Sequence, residues 1–155
     1  MALSKELLDA LNDPELALAC DRASVNIKLL VASWDGLASA EEQVLERPLS
    51  ATLLSDAEVK MMFSEHLEGL RTGKPVEDDR LKQVFDAMDA VPEQFKSGIG
   101  HALFEEAMSI LSLDKILSKQ ERELILDVIV PRLLVSKDSA LACLDALKAH
   151  LMAQS

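Results

Sequence analysis

The sequence predicts an all-α protein, a compact single-domain bundle of about seven or eight helices. Aromatic residues make up only 3% of the chain and Tyr is absent, whereas β-sheets favour aromatic and β-branched side chains. Ser-x-x-Glu patterns beginning at Ser39, Ser55 and Ser118 have the form of a capping box, which marks a helix N-terminus. A chain of 155 residues is long enough to bury a core without disulfides or a structural metal.

The first two helices follow from the residues at their ends. Amphipathic spacing predicts a short helix over about residues 5–11. Asp13 and Pro14 then start a second helix, as N-cap and first helical residue. That helix runs to about Trp34, and Gly36 ends it because Gly adopts the left-handed C-terminal conformation without steric cost.

The next two helices begin at capping boxes. Ser39 starts a helix that Pro48 ends early. Ser55 starts another that runs to about Leu70, and Gly and Pro within residues 71–75 break it.

The remaining helices are predicted over about residues 78–90, 93–113, 118–135 and 138–152. Pro92 separates the first two of these. Pro131 should kink or end the third, because it lacks an N–H and its ring clashes with the carbonyl four residues earlier. The links are short and no low-complexity segment divides the chain, so residues 1–155 are predicted to form one helical domain.

The balance of acidic and basic residues indicates which classes of molecule the protein binds. Sixteen basic and twenty-seven acidic residues give a formal net charge of −11, which repels phosphate backbones and anionic lipid headgroups. We therefore expect protein partners, no nucleic acid and no direct membrane insertion, whereas the oligomeric state stays open. No segment of eighteen apolar residues occurs and the N-terminus lacks a signal sequence, so a cytoplasmic location is expected.

Signatures of catalysis are missing from the sequence. The chain has no HExxH, Glu-x-x-His, GxSxG or Gly-rich phosphate-loop pattern, which argues against a metalloprotease, a di-iron oxidase and common hydrolases. Cys20 and Cys143 lie among apolar helical neighbours and are expected to be buried thiols. Gly98 and Gly100 interrupt a helix, which predicts close contact with another helix.

One acidic motif occurs twice. The segment LLVASWDGLASAEE, over residues 29–42, has the same outline as MSILSLDKILSKQE, over residues 108–121. Each contains an apolar helix, an Asp, a break, a capping Ser and a Glu, and the Asp precedes the Glu by seven residues in both. The chain is therefore predicted to contain two related helix–turn–helix halves.

The carboxylates of this motif have two interpretations. As caps, Glu42 and Glu121 need no ligand, because the N-terminal N–H groups and the helix dipole favour carboxylates there. Asp35 and Asp114 lie at the negative ends of helices, where a cation or a turn hydrogen bond should compensate. If the halves pack about a pseudo-twofold axis, these four carboxylates form a candidate site for Ca²⁺ or Mg²⁺. Against this, Asp-Gly is an ordinary turn, and Lys115 can neutralise Asp114.

The two motifs WDGLASAEE and LDKILSKQE resemble those of the tellurite-resistance B (TerB) family, over about residues 19–151. The resemblance implies an all-helical, non-catalytic module linked to tellurite resistance or another stress response. It also implies that the acidic motif residues Asp35, Glu42, Asp114 and Glu121 are cation ligands. Lys115 departs from the family's Asp-Gly pattern in the second copy.

The sequence therefore predicts a TerB-like module that is not an enzyme and that binds a divalent cation. Two alternatives remain open. One is a helical interaction or scaffold domain in which the acidic motifs are caps only and no metal binds. The other is a small helical enzyme whose active site is assembled from distant residues and has no sequence signature.

Overall fold

A computed structural model describes residues 3–33, 51–73, 77–112 and 117–153, and within these ranges the chain is helical and has no strand. The helices, in chain order, are α1 (Lys5–Ala10), α2 (Pro14–Ser33), α3 (Asp56–Thr72), α4 (Glu77–Ala90), α5 (Glu93–Leu111), α6, in the three consecutive parts Lys119–Glu123, Leu124–Ile129 and Val130–Leu133, and α7 (Lys137–Ala153). The predicted all-α fold is therefore confirmed. The prediction of two related halves stays a prediction, because both acidic turns lie outside the described ranges.

Local signals in the sequence account for the ends of most helices. The Asp13 carboxylate accepts from the backbone N–H groups of Glu15 and Leu16, so Asp13 caps α2 as predicted. Ser55 caps α3 by accepting from Glu58 N. Gly73 ends α3 in the left-handed conformation, with φ of 72°, which a residue with a Cβ rarely adopts. The predicted helix at Ser39 lies outside the described residues.

Helix α2 forms the centre of the core. Every residue from Ala23 to Val31 is buried, and α4 and α5 are its main neighbours. A helix that is buried on all sides normally carries apolar residues all round. Helix α2 instead also buries polar side chains, and these define the candidate site below.

Pro131 does not end its helix. Residues Leu124–Ile129 form a π-helical segment, after which α6 continues to Leu133. The N–H of Val130 donates to the carbonyl of Ile125, five residues earlier. This wider turn places the proline after a local change of hydrogen-bond register, so the helix accommodates it. The helix ends instead at Leu133, and its C-cap residue Leu134 is left-handed with φ of 58°.

Gly100 lies where α5 meets α6. A Cβ on Gly100 would lie 1.8 Å from the Leu133 carbonyl oxygen, so only glycine allows this approach. The predicted close helix contact is therefore confirmed at this position. A Cβ on Gly98 would meet only Leu7 Cδ1, at an ordinary 3.7 Å, so close packing does not explain the second glycine.

The prediction of two buried thiols is half wrong. Cys20 is buried in α2, and burial together with the neighbouring Asp21 charge raises its pKa to about 11. Cys143 is exposed. Helix α7 buries Ala140 and Leu144, one turn apart, and Cys143 is rotated away from that face. No helix in the described part of the chain is both long and apolar enough to cross a membrane.

Candidate functional site: the buried polar groups of α2

Buried polar side chains lie on two sides of α2. Asp21, Ser24 and Lys28 share one side, because their spacings of three and four residues match the helical repeat. Asn26 and Ser33, seven residues apart, share the other. Polar groups removed from water destabilise a fold unless they are hydrogen-bonded or paired. Ser24 Oγ has no hydrogen-bond partner among the described residues, and the partners of the other four side chains indicate what the helix positions.

On the first side, a buried ion pair joins α2 to α5. Lys28 Nζ lies 2.7 Å from Glu106 Oε2, and the two side chains are 2% and 1% exposed. Burial raises the pKa of Glu106, whereas the Lys28 ammonium lowers it and the nearby Asp21 charge raises it further. A charged pair at this depth fixes the two helices in one relative position, because moving either charge away leaves the other in a low-dielectric interior.

The ion pair lies close to the C-terminal ends of both helices. Helix α2 ends at Ser33 and α5 ends at Leu111, each five residues beyond its member of the pair. Five residues of α-helix span about 7.5 Å. Each helix end therefore lies about 7.5 Å along its own helix from the residue that takes part in the pair. In the sequence, Asp35 and Asp114 of the predicted acidic turns come shortly after these two ends.

Of the four predicted cation ligands, only Glu121 lies within the described residues. Its Oε1 accepts from Ser118 N at 3.0 Å, and Ser118 Oγ accepts from Glu121 N at 3.1 Å. This reciprocal pair is the predicted capping box, so Glu121 has a structural role at the start of α6. Asp35, Glu42 and Asp114 lie outside the described ranges, and among the residues within them no group of three or more His, Cys, Asp and Glu is arranged to hold a metal ion.

Asp21, on the first side of α2, is hydrogen-bonded to the segment that precedes α3. Its Oδ1 accepts from Thr52 N at 3.1 Å, and its Oδ2 accepts from Leu53 N and Leu54 N at 2.7 and 2.8 Å. A carboxylate with three backbone donors satisfies most of its hydrogen-bonding capacity. Asp21 is therefore explained as an anchor for this segment and not as a candidate ligand.

On the second side, Ser33 contacts a buried histidine. Ser33 Oγ donates to the Leu29 carbonyl at 2.8 Å and lies 2.8 Å from His66 Nε2. Because the serine has a single hydroxyl proton and the carbonyl can only accept, satisfying both contacts requires Nε2 to donate to the serine oxygen. A nucleophilic serine needs the opposite direction, in which the imidazole accepts the hydroxyl proton. The pair therefore favours a structural link between α2 and α3 over a catalytic dyad.

The same side of α2 supports a cleft between α3 and α4. Arg80 Nη1 donates to Asn26 Oδ1 at 2.7 Å, and Asn26 Nδ2 donates to Gln83 Oε1 at 2.9 Å. Arg80 is only 9% exposed, and burial lowers its pKa although the charges of Glu65 and Asp79 oppose that shift. The cleft has a volume of about 630 Å³, and the described residues that line it are Ser64, Glu65, Glu68, Gly69, Thr72, Asp79, Arg80 and Gln83.

The buried positions of Lys28, Glu106, Arg80 and His66 were not predicted from the sequence. One feature of the sequence did indicate buried polar groups in α2. Its polar residues lie on more than one side, between apolar neighbours, whereas a helix with a single solvated face carries them on one side only. The partners themselves come from other helices and have no fixed spacing from α2. No protein-family model matches the chain, and no curated protein or solved structure was found to be similar to it.

Proposed function

We propose that the protein is a non-catalytic, TerB-like helical module that binds Ca²⁺ or Mg²⁺ at the two acidic turns following α2 and α5. In this proposal Asp35 and Asp114 are the principal ligands, and Glu42 and Glu121 contribute less because their carboxylates cap helices. The module acts through protein partners, in a stress response such as tellurite resistance.

The observation that carries the proposal is the buried pair between Lys28 and Glu106. It holds together the two helices whose C-terminal ends lead into Asp35 and Asp114. Helix C-termini carry partial negative charge, so two such ends with adjacent carboxylates attract a cation. Hard oxygen ligands of this kind suit Ca²⁺ and Mg²⁺. The net charge of −11 adds a general attraction for cations.

Thermal melting and calorimetry of chelator-treated protein test the proposal. A ligand that binds only the folded state at about 100 times its Kd stabilises it by about 2.7 kcal/mol. Millimolar Ca²⁺ or Mg²⁺ should therefore raise the melting temperature by several degrees and should release or absorb heat with a saturable stoichiometry. Asp35→Asn and Asp114→Asn should each abolish most of the effect, while the fold stays nearly intact because the amide keeps the hydrogen-bonding shape of the turn.

Two controls separate a specific site from screening of the net charge. NaCl at matched ionic strength should give a smaller shift. Asp127→Asn removes a carboxylate from an exposed position in α6 and should leave the cation response unchanged. If melting of the parent protein is the same with and without Ca²⁺ and Mg²⁺, the cation proposal is wrong.

The second candidate function is an interaction domain in which no metal binds. It is favoured by the exposure of large apolar side chains in three different helices or helix ends, since Met61, Leu134 and Met152 are 61%, 53% and 65% exposed. Methionine is common at adaptable binding surfaces. A negative cation titration together with an intact fold would make this the better description. The small-enzyme alternative has less support, because the Ser33–His66 bond direction does not activate the serine.

A further inference from the structure

The cleft between α3 and α4 contains a buried cation, Arg80, and the charges of Glu65 and Asp79 act on it from the rim. Arg80 is 9% exposed and belongs to none of the ion pairs in the described part of the chain. A guanidinium stays charged in proteins and has five N–H donors. Asn26 and the Met62 carbonyl accept from two of its nitrogens, at 2.7 and 3.4 Å. Arg80 also lines the cleft, so its remaining N–H donors can meet a ligand there.

The side chain of Arg80 is also held in place before any ligand arrives. Asn26, in the central helix, accepts from Arg80 and donates to Gln83. Gln83 lines the same cleft and uses its carbonyl oxygen for Asn26, which leaves its amide N–H groups to donate. A guanidinium and an amide fixed in this way present donors suited to a carboxylate, and a preorganised site loses less entropy on binding.

The rim of the cleft has the opposite charge. Glu65, Glu68 and Asp79 line it and are exposed. Glu68 pairs with Arg71, whereas Glu65 and Asp79 take part in no ion pair among the described residues. A simple anion is therefore attracted by Arg80 and repelled by two carboxylates, and a simple cation meets the reverse. A molecule with both charges satisfies both groups.

From this arrangement we propose that the cleft binds a small zwitterionic ligand of the amino-acid type. Its carboxylate pairs with the guanidinium of Arg80 and the amide of Gln83, and its ammonium group lies against Glu65 and Asp79. The volume of about 630 Å³ falls in the range of small-molecule pockets, between roughly 300 and 1,000 Å³. The described residues that line the cleft include none of the four proposed cation ligands.

An NMR titration of the ¹⁵N-labelled full chain tests this inference. The probes are the ω-amino acids glycine, β-alanine, γ-aminobutyrate and ε-aminocaproate, which vary the separation of the two charges, with acetate and methylammonium as single-charge controls. EDTA is present throughout, so the result does not depend on the cation site. At least one amino acid should shift the amide resonances of residues 64–72 and 79–83 and bind about tenfold more tightly than either control, as one additional charged hydrogen bond provides.

Substitutions at the cleft test which charge of the ligand each side chain contacts. Arg80→Gln should weaken amino-acid and acetate binding by about tenfold. Glu65→Gln and Asp79→Asn, both at exposed positions, should weaken amino-acid binding but strengthen acetate binding, because they remove rim charges. Arg122→Gln, which removes an arginine paired with Asp145 on other helices, should change neither.

Three results would overturn the inference. One is that no amino acid in the series shifts the cleft resonances. Another is that a folded Arg80→Gln variant binds as well as the parent. The third is that the rim substitutions change amino-acid and acetate affinity in the same direction, and this result stays decisive even if Arg80→Gln fails to fold. In each case the role of Arg80 would be structural, namely to link α2, α3 and α4 by hydrogen bonds.

Discussion

At the residue scale, the groups that are most unusual are charged side chains in the interior. Lys28 and Glu106 are almost completely buried, and Arg80 is nearly so. Replacing a buried ion pair by apolar residues is often neutral or stabilising, whereas removing one member is strongly destabilising. Such pairs are therefore better explained by the positions they impose on helices than by the stability they add.

For the Lys28–Glu106 pair we expect the two single substitutions and the double substitution to affect stability differently. Lys28→Met takes away the ammonium group beside a buried carboxylate, and Glu106→Leu takes away the carboxylate beside a buried ammonium. Each single substitution should lower the free energy of unfolding by about 3–5 kcal/mol. The double variant should be more stable than either single variant, since neither member of the pair is left without the other. Urea unfolding of all four proteins measures the coupling.

A matched control is available on the surface. Lys82 Nζ lies 2.8 Å from Asp86 Oδ2, but these two side chains are 75% and 61% exposed. Lys82→Met should leave the urea midpoint almost unchanged, because exposed pairs are solvated and screened. A double variant of Lys28 and Glu106 that is less stable than both single variants would contradict the expectation that the isolated charge destabilises each single variant.

At the element scale, the contact between α5 and α6 depends on the backbone. Gly100 allows the Leu133 carbonyl to approach a position that a Cβ would occupy. The π-helical segment Leu124–Ile129 precedes this carbonyl and changes the register of α6 before Pro131. Together, the absence of one side chain and the wider helical turn allow the two helices to approach this closely.

The two glycines of α5 give a prediction with an internal control. Gly100→Ala should lower the free energy of unfolding by about 1–3 kcal/mol or more, because its methyl group would meet backbone and not a flexible side chain. Gly98→Ala adds the same methyl group on the same helix, where it meets only Leu7 Cδ1. That change should leave stability equal or raise it by up to about 1 kcal/mol, through higher helix propensity.

Urea unfolding midpoints of the two alanine variants check this expectation. The two changes in free energy should have clearly different values, with Gly100→Ala the less stable protein. Equal effects at both positions would mean that helix propensity alone governs them and that the approach of Leu133 has no energetic consequence.

At the scale of the whole molecule, the helices differ in how deeply they are buried. Helix α2 is enclosed by α4 and α5 and has an unbroken buried stretch from Ala23 to Val31. Helix α7 has 17 residues but buries only Ala140, Leu144 and Leu151, and it packs mainly against α6. Elements with few buried contacts open locally at lower free energy than the core.

Native-state hydrogen exchange should therefore separate these two helices. Amides between Val25 and Val31 should exchange only through global unfolding, with the urea dependence of the whole protein. Amides of α7 should exchange through a local opening that costs less free energy and depends less on urea. If both helices show the same free energy and the same urea dependence, the protein unfolds as one unit and this difference in burial has no dynamic consequence.

Local sequence patterns were enough to predict the helical class, most helix boundaries and the cap at Ser118. These features depend on residues within four positions of each other: Asp13 before Pro14, Gly73 after α3, and Ser118 three residues before Glu121. The sequence also indicated that α5 makes a close contact, although it did not distinguish Gly100 from Gly98. The predicted cation site remains a prediction, since three of its four residues lie outside the described ranges.

Which polar residues are buried, and what they contact, depends on how the helices pack against one another. Asn26 and Arg80 are 54 residues apart in the chain, and Lys28 meets Glu106 from a different helix. Sequence spacing reports which residues share a helix face, but the helix that covers this face depends on packing. The same residue types on a solvated face would have had no consequence. In the interior their charges require partners, and those partners define the candidate sites.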